Sequence, residues 1–133
     1  MTPRFFFDET DLLLAKKMSK AAPGEVVFPG HANFPEVARG SLDSHWLLII
    51  GERGLVIITR DKAIRRKPVE RQIWVEHALR GFVLTGRDSQ TTETSLLLIT
   101  KNRGKIDEVV AERQLGPWMI ALNSAGLREI DLT

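Results

Sequence analysis

Hydrophobic and polar positions along this chain keep switching between two spacings, and each switch marks the border of an element. Arg4–Phe7 is a short apolar run that reads as a buried strand, and Glu9–Ala21 follows with helical spacing through Leu12, Leu13, Ala15 and Met18. Pro23-Gly24 ends that helix, and Glu25–Phe28 supplies a second short apolar strand. Pro29–Ser41, with two prolines and two glycines, reads as a loop. Ser41 is a suitable N-cap for a helix with apolar positions at Leu42, Trp46, Leu47, Ile49 and Ile50, ending near Gly51 or Gly54.

Leu55–Thr59 is a continuous β-branched run of the kind buried on both faces of a parallel sheet. Lys67-Pro68 then starts a helix running to about Leu79, with Pro68 in its first turn, and Gly81–Thr85 reads as the next strand. Thr92–Thr100 and Lys105–Gln114 have helical patterns separated around Asn102–Gly104. Beyond Pro117, Trp118–Leu122 and Leu127–Leu132 read as a strand pair around the Ser124-Ala125-Gly126 turn. Strand and helix alternate through most of the chain. The expected fold is therefore α/β, a three-layer α/β/α sandwich with a central, mostly parallel sheet and a C-terminal strand pair.

Composition narrows the class without naming a function. At 133 residues, 43% hydrophobic and 27% charged, residues 1–133 read as a single globular domain. The absence of cysteine excludes disulfides, thiolate catalysis and cysteine-ligated zinc. Phe5–Phe7 is too short for a signal peptide and no stretch approaches a membrane span, so a cytoplasmic protein without membrane contact is the expectation. Net charge is only +2, but Arg60–Arg71 concentrates six basic residues (Arg60, Lys62, Arg65, Arg66, Lys67, Arg71) against two acids, Asp61 and Glu70. A local positive potential of this kind favours a polyanion such as a nucleic-acid backbone.

Three aspartates carry the candidate chemistry. Asp8 ends the first apolar run, Asp43 lies at the start of the second helix, and Asp61 follows the Leu55–Thr59 strand. In a parallel sheet the carboxyl ends of the strands and the helix N-termini share one edge, so these acids are expected to converge. Like charges held together repel, and a divalent cation relieves that repulsion. Mg²⁺ or Mn²⁺ held by carboxylates suits phosphoryl chemistry, because it polarises a phosphodiester oxygen and acidifies an attacking water. Thr59 is placed to position a water or a phosphate, and Arg60, Arg65, Arg66 and Lys67 are the expected RNA contacts.

Each of these features also has a plainer explanation. A single acid at such a position is commonly a helix cap or a first-turn residue favoured by the helix dipole. A run of charge is commonly a solvated face. His31, His45 and His77 lack metal-ligand spacing, and Trp46, Trp74 and Trp118 fit core positions better than base-stacking platforms. Gly51 and Gly54 lack the spacing of a phosphate-binding loop, which argues against nucleoside triphosphate hydrolysis. A phospho-acceptor domain would share the acids after the first and third strands, but would want a lysine after the fifth, and Trp118–Asn123 contains none.

Phe5-Phe6-Phe7-Asp8, Ser41-Leu42-Asp43-Ser44-His45-Trp46-Leu47, and above all Gly54-Leu55-Val56-Ile57-Ile58-Thr59-Arg60-Asp61 followed by Ile64-Arg65 and Pro68-Val69-Glu70-Arg71 resemble the PIN-like domains. Many of these are VapC-like toxin ribonucleases of bacterial toxin-antitoxin pairs. The resemblance implies Mg²⁺ or Mn²⁺ on Asp8, Asp43 and Asp61, endonucleolytic cleavage of RNA, an antitoxin partner covering the acidic pocket, and a tendency to form homodimers. Fuller members use a fourth acid, for which Glu9, Asp11 and Glu36 are the candidates here. The alternative is a PIN-like module with weak or lost catalysis that binds RNA or a partner protein.

Overall fold

The structure is a computed structural model that describes residues 4–8, 11–31, 43–61 and 66–132, side chains at 43–45 and 88 excepted. Its strands are β1 (Phe5–Phe7), β2 (Val26–Val27), β3 (Val56–Thr59), β4 (Arg80–Leu84), β5 (Trp118–Asn123) and β6 (Gly126–Glu129). The helices are α1 (Leu12–Ala21), α2 (Asp43–Arg53), α3 (Pro68–Glu76), α4 (Thr92–Lys101) and α5 (Arg103–Glu112), with a short 3-10 turn at Arg87–Ser89. The six strands form one sheet in the order β2-β1-β3-β4-β5-β6. All neighbours are parallel except β5 and β6, which pair antiparallel through the tight turn before Gly126. The expected α/β sandwich with a C-terminal strand pair is the architecture found.

Strand alternation divides the core in two. Phe5, Phe7, Val56, Ile58, Phe82, Leu84 and Trp118 face the layer of α1, α4 and α5, meeting Leu14, Met18, Leu98, Ile99 and Ile106. Phe6, Ile57, Val83 and Met119 face α2 and α3, meeting Trp46, Leu47, Ile50 and Trp74. Helices on both faces explain why the strands read as unbroken apolar runs rather than alternating ones. All three tryptophans are buried, as their patterns implied. Trp74 donates its indole N–H to the Trp118 carbonyl at 3.0 Å, so its polar tip is satisfied inside the core.

Some borders moved. The helical patterns expected to be separated around Asn102–Gly104 are divided by the single residue Asn102, whose backbone N–H and side-chain amide both bond back to Leu98. β6 stops at Glu129 rather than reaching Leu132. Most of the Pro29–Ser41 loop and its Ser41 cap lie outside the described residues.

Packing is close where β4 passes over α3. A Cβ built on Gly81 would lie 2.6 Å from the Ile57 carbonyl oxygen and 2.9 Å from the Trp74 ring. Neither backbone nor a buried indole can yield cheaply, so Gly81→Ala is expected to cost about 2–3 kcal/mol, read as a lower urea midpoint with an unchanged slope.

Candidate functional site

The strand order creates the site before any side chain is considered. From β1 the chain passes through α1 to β2 on one flank, then crosses back through α2 to β3 on the other flank of β1. The segments leaving β1 and β3 therefore diverge to opposite faces of the sheet, and a crevice opens at the carboxyl ends of these two strands. Phe7 is in register with Ile58, so the next position on each strand puts Asp8 beside Thr59. The contact is direct: the buried Thr59 hydroxyl donates to Asp8 Oδ2 at 3.3 Å. The Thr59 hydroxyl oxygen in turn accepts the Asp61 backbone N–H at 3.0 Å. One hydroxyl thus uses both of its capacities, joining the end of β1 to the turn that carries Asp61.

Alternation also decides which way these residues face. Asp8 and Thr59 continue the phase of Phe6 and Ile57, the side covered by α2. The Phe6 and Trp46 rings lie 5.0 Å apart, one turn into α2. That helix ends at Arg53 and leads through Gly54 into the start of β3, so it runs antiparallel to the strand and begins near the carboxyl edge. Asp43, its first residue, is accordingly on the same edge as Asp8 and Asp61. Its side chain lies outside the described residues.

Arg60 takes the opposite phase, toward α1, and meets Asp11 just before that helix. Its Nε donates to Asp11 Oδ1 at 2.6 Å, and its backbone N–H donates to Asp11 Oδ2 at 3.1 Å. Asp11 is 2% exposed and stands at the N-cap position of α1, yet makes no side-chain cap bond, because both oxygens serve Arg60. The Asp11 backbone N–H also donates to the Asp8 carbonyl at 3.1 Å. Asp11 and Arg60 therefore clamp the two segments that bear Asp8 and Asp61.

The expected residues divide into three groups. Asp8, Thr59 and Asp61 come together at the crevice. Arg60 lies at the same place, with its guanidinium paired to Asp11 and its side chain 22% exposed. Arg66 and Lys67 are exposed ahead of α3, where Pro68 opens the helix as expected, and Arg65 lies outside the described residues. Of the three fourth-acid candidates, Asp11 is committed to Arg60, and Glu9 and Glu36 lie outside the described residues. The clamp itself was not anticipated; the only trace of it in the sequence is the spacing Asp8-x-x-Asp11.

Among the described residues no group of three or more His, Asp or Glu side chains is disposed to hold a metal ion. The donor chemistry still fits a hard cation of the magnesium type. Such an ion keeps several waters and is commonly bound by one or two carboxylates together with substrate phosphates, rather than by an all-protein cage. Asp8 and Asp61 at one crevice meet that description, with Asp43 on the same edge. No helix among the described residues is long and apolar enough to cross a membrane.

A family model described as a PIN-like domain matches residues 3–86, which span β1 to just beyond β4 and so include every candidate site residue. No curated protein and no solved structure matches the chain.

Proposed function

The chain belongs to the PIN-like domain family, a nuclease-type fold, and from that premise we propose that it is a metal-dependent endoribonuclease, the toxin of a toxin-antitoxin pair. The observation that carries the reading is the Asp8–Thr59–Asp61 chain of contacts at the crevice between β1 and β3. Asp8, Asp61 and Asp43 are the residues assigned to hold Mg²⁺ or Mn²⁺. The cation, when bound, supplies positive charge to a phosphodiester oxygen and acidity to an attacking water.

The remaining roles fall to the chain's own groups. Thr59 fixes one oxygen of Asp8 by its hydroxyl and so orients the carboxylate at the end of β1. Asp11 and Arg60 keep the turn after β3 in place, so that Asp61 stays near Asp8. Arg66 and Lys67, together with Arg65, draw the RNA backbone toward the acids by charge. An antitoxin that lays a basic side chain over the crevice would relieve the same carboxylate repulsion that the cation relieves.

A second reading, a PIN-like module that binds RNA or a partner without cutting, is favoured by the fourth acid, since of its candidates Glu9, Asp11 and Glu36 the described Asp11 is engaged by Arg60. Metal removal separates the two. Purified protein is expected to cut RNA with Mg²⁺ or Mn²⁺, to stop when EDTA is added, and to resume when the ion is restored. RNA that stays intact at every metal concentration, while still bound, would establish the second reading.

A further inference from the structure

We propose that the groove between α1 and the end of β2 binds the backbone of single-stranded RNA leaving the acidic crevice; this deepens the ribonuclease reading and rests on it. The groove is about 450 Å³ and is lined by Leu13, Lys16, Lys17, Ser19, Lys20 and Phe28. Leu13, Lys16, Lys17 and Lys20 are spaced i, i+3, i+4 and i+7, so they form one stripe along the helix. Three positive charges therefore share a face with no acid in the lining, and among the described residues none of the three lysines enters an ion pair. A stripe of unpaired lysines over an apolar floor fits a chain of phosphates whose sugars and bases pass across Leu13 and Phe28.

Position ties the groove to the crevice. Asp11 stands at the catalytic edge and α1 begins at the next residue, so Leu13 lies within the first turn and Lys20 about 10 Å further along the helix axis. The basic segment at Arg66 and Lys67 follows β3, whereas this groove lies on the β1 and β2 flank. The two basic surfaces thus stand on opposite sides of Asp8 and Asp61. A strand cut in its interior must extend both ways from the scissile phosphate, and one basic surface alone would hold only one of its arms. The exposure of Leu13, at 58%, is accounted for by such a ligand.

An acidic protein segment is the competing occupant, and the test distinguishes it. Wild type and a Lys16→Gln/Lys17→Gln/Lys20→Gln variant are compared in EDTA, which prevents cleavage, using labelled oligouridylates of about 4 and about 16 nucleotides and, separately, a poly-glutamate chain. Glutamine is a good helix former, so the variant is expected to keep the wild-type melting profile. Expected is a loss of about ten-fold or more in affinity for the long RNA, a salt slope smaller by about 2, near 0.7 for each lost phosphate contact on a single strand, and little change for the short one. Unchanged affinity and slope for the long RNA would overturn the proposal, as would wild type that binds no RNA, or poly-glutamate that binds as tightly and is lost in parallel. The ribonuclease reading fails independently, by lack of metal-dependent products, and that result leaves this binding comparison intact.

Discussion

Asp8→Asn is expected to lower metal-dependent RNA cleavage by about a hundred-fold to a thousand-fold while leaving the protein folded. The carboxylate is 6% exposed at the crevice, and its Oδ2 accepts the Thr59 hydroxyl. Asparagine keeps the size and can still accept that hydrogen bond, so packing at the end of β1 is preserved. What disappears is one negative charge. A bound cation contributes several kcal/mol to the stabilisation of a phosphoryl transition state, and each 1.36 kcal/mol lost is about ten-fold in rate. Unfolding by urea should keep the wild-type slope, which shows that the variant folds as a unit. Rates measured over a range of Mg²⁺ concentrations check the claim. A shift of the half-saturating Mg²⁺ concentration to higher values locates the loss at the ion, and wild-type rates in Asp8→Asn would remove Asp8 from the site altogether.

Asp61→Asn has the same charge change but a different setting, and the contrast is informative. Asp61 is held by its backbone N–H to Thr59, and the substitution leaves that bond untouched. A loss comparable to that of Asp8→Asn would mean that the two carboxylates act on one ion. A small loss would mean that the backbone of the turn, rather than the side chain, is what the site requires from this position.

How much of this was legible in the sequence follows from what each feature depends on. The strands and helices were readable because each apolar run has the length and period of its element, and helices on both faces leave no polar alternation to confuse them. That Asp8 and the backbone of Asp61 lie at one edge was readable because strand ends in a parallel sheet share an edge whatever the order of the strands. The order itself was not readable. Placing β1 between β2 and β3 is what puts Asp8 directly beside Thr59, and that neighbourhood depends on which strands pair, a property that no local pattern encodes.

Arg60 shows the limit most clearly. In the sequence it is one of six cations in a basic run and has no mark of its own. Its difference from Arg66 and Lys67 is one of phase. It is the first residue after β3 and falls on the side away from Thr59, where Asp11 waits at the head of α1. The border at which a strand stops must be known to within one residue for such an assignment, and strand borders are what sequence patterns locate least well. Asp11 was open as a fourth ligand for the same reason, since its partner lies 49 positions away.

The clamp leads to the largest expected effect on stability. Asp11→Ala would leave the Arg60 guanidinium, 22% exposed in its side chain, without its carboxylate, and the Arg60 backbone N–H without its acceptor. Loss of one member of a buried pair costs about 3–5 kcal/mol, and the residual exposure of Arg60 puts the expectation at the lower end, about 3 kcal/mol. Arg60→Ala exposes the mirror problem, a buried carboxylate that retains only the backbone N–H. The double variant Asp11→Ala/Arg60→Ala removes both charges, so it should be more stable than the sum of the two single losses implies, by at least about 1 kcal/mol in the cycle. Cleavage should fall in all three proteins even at temperatures where they remain folded, because the turn that bears Asp61 is no longer tied to the start of α1. Urea titrations give the stabilities, and rates at saturating Mg²⁺ give the activity. Additive losses with full activity in the folded double variant would mean that Asp11 and Arg60 are an incidental pair. A positive coupling energy together with a rate that Mg²⁺ cannot restore would mean that the crevice is held in shape by a charge pair that itself touches neither metal nor RNA.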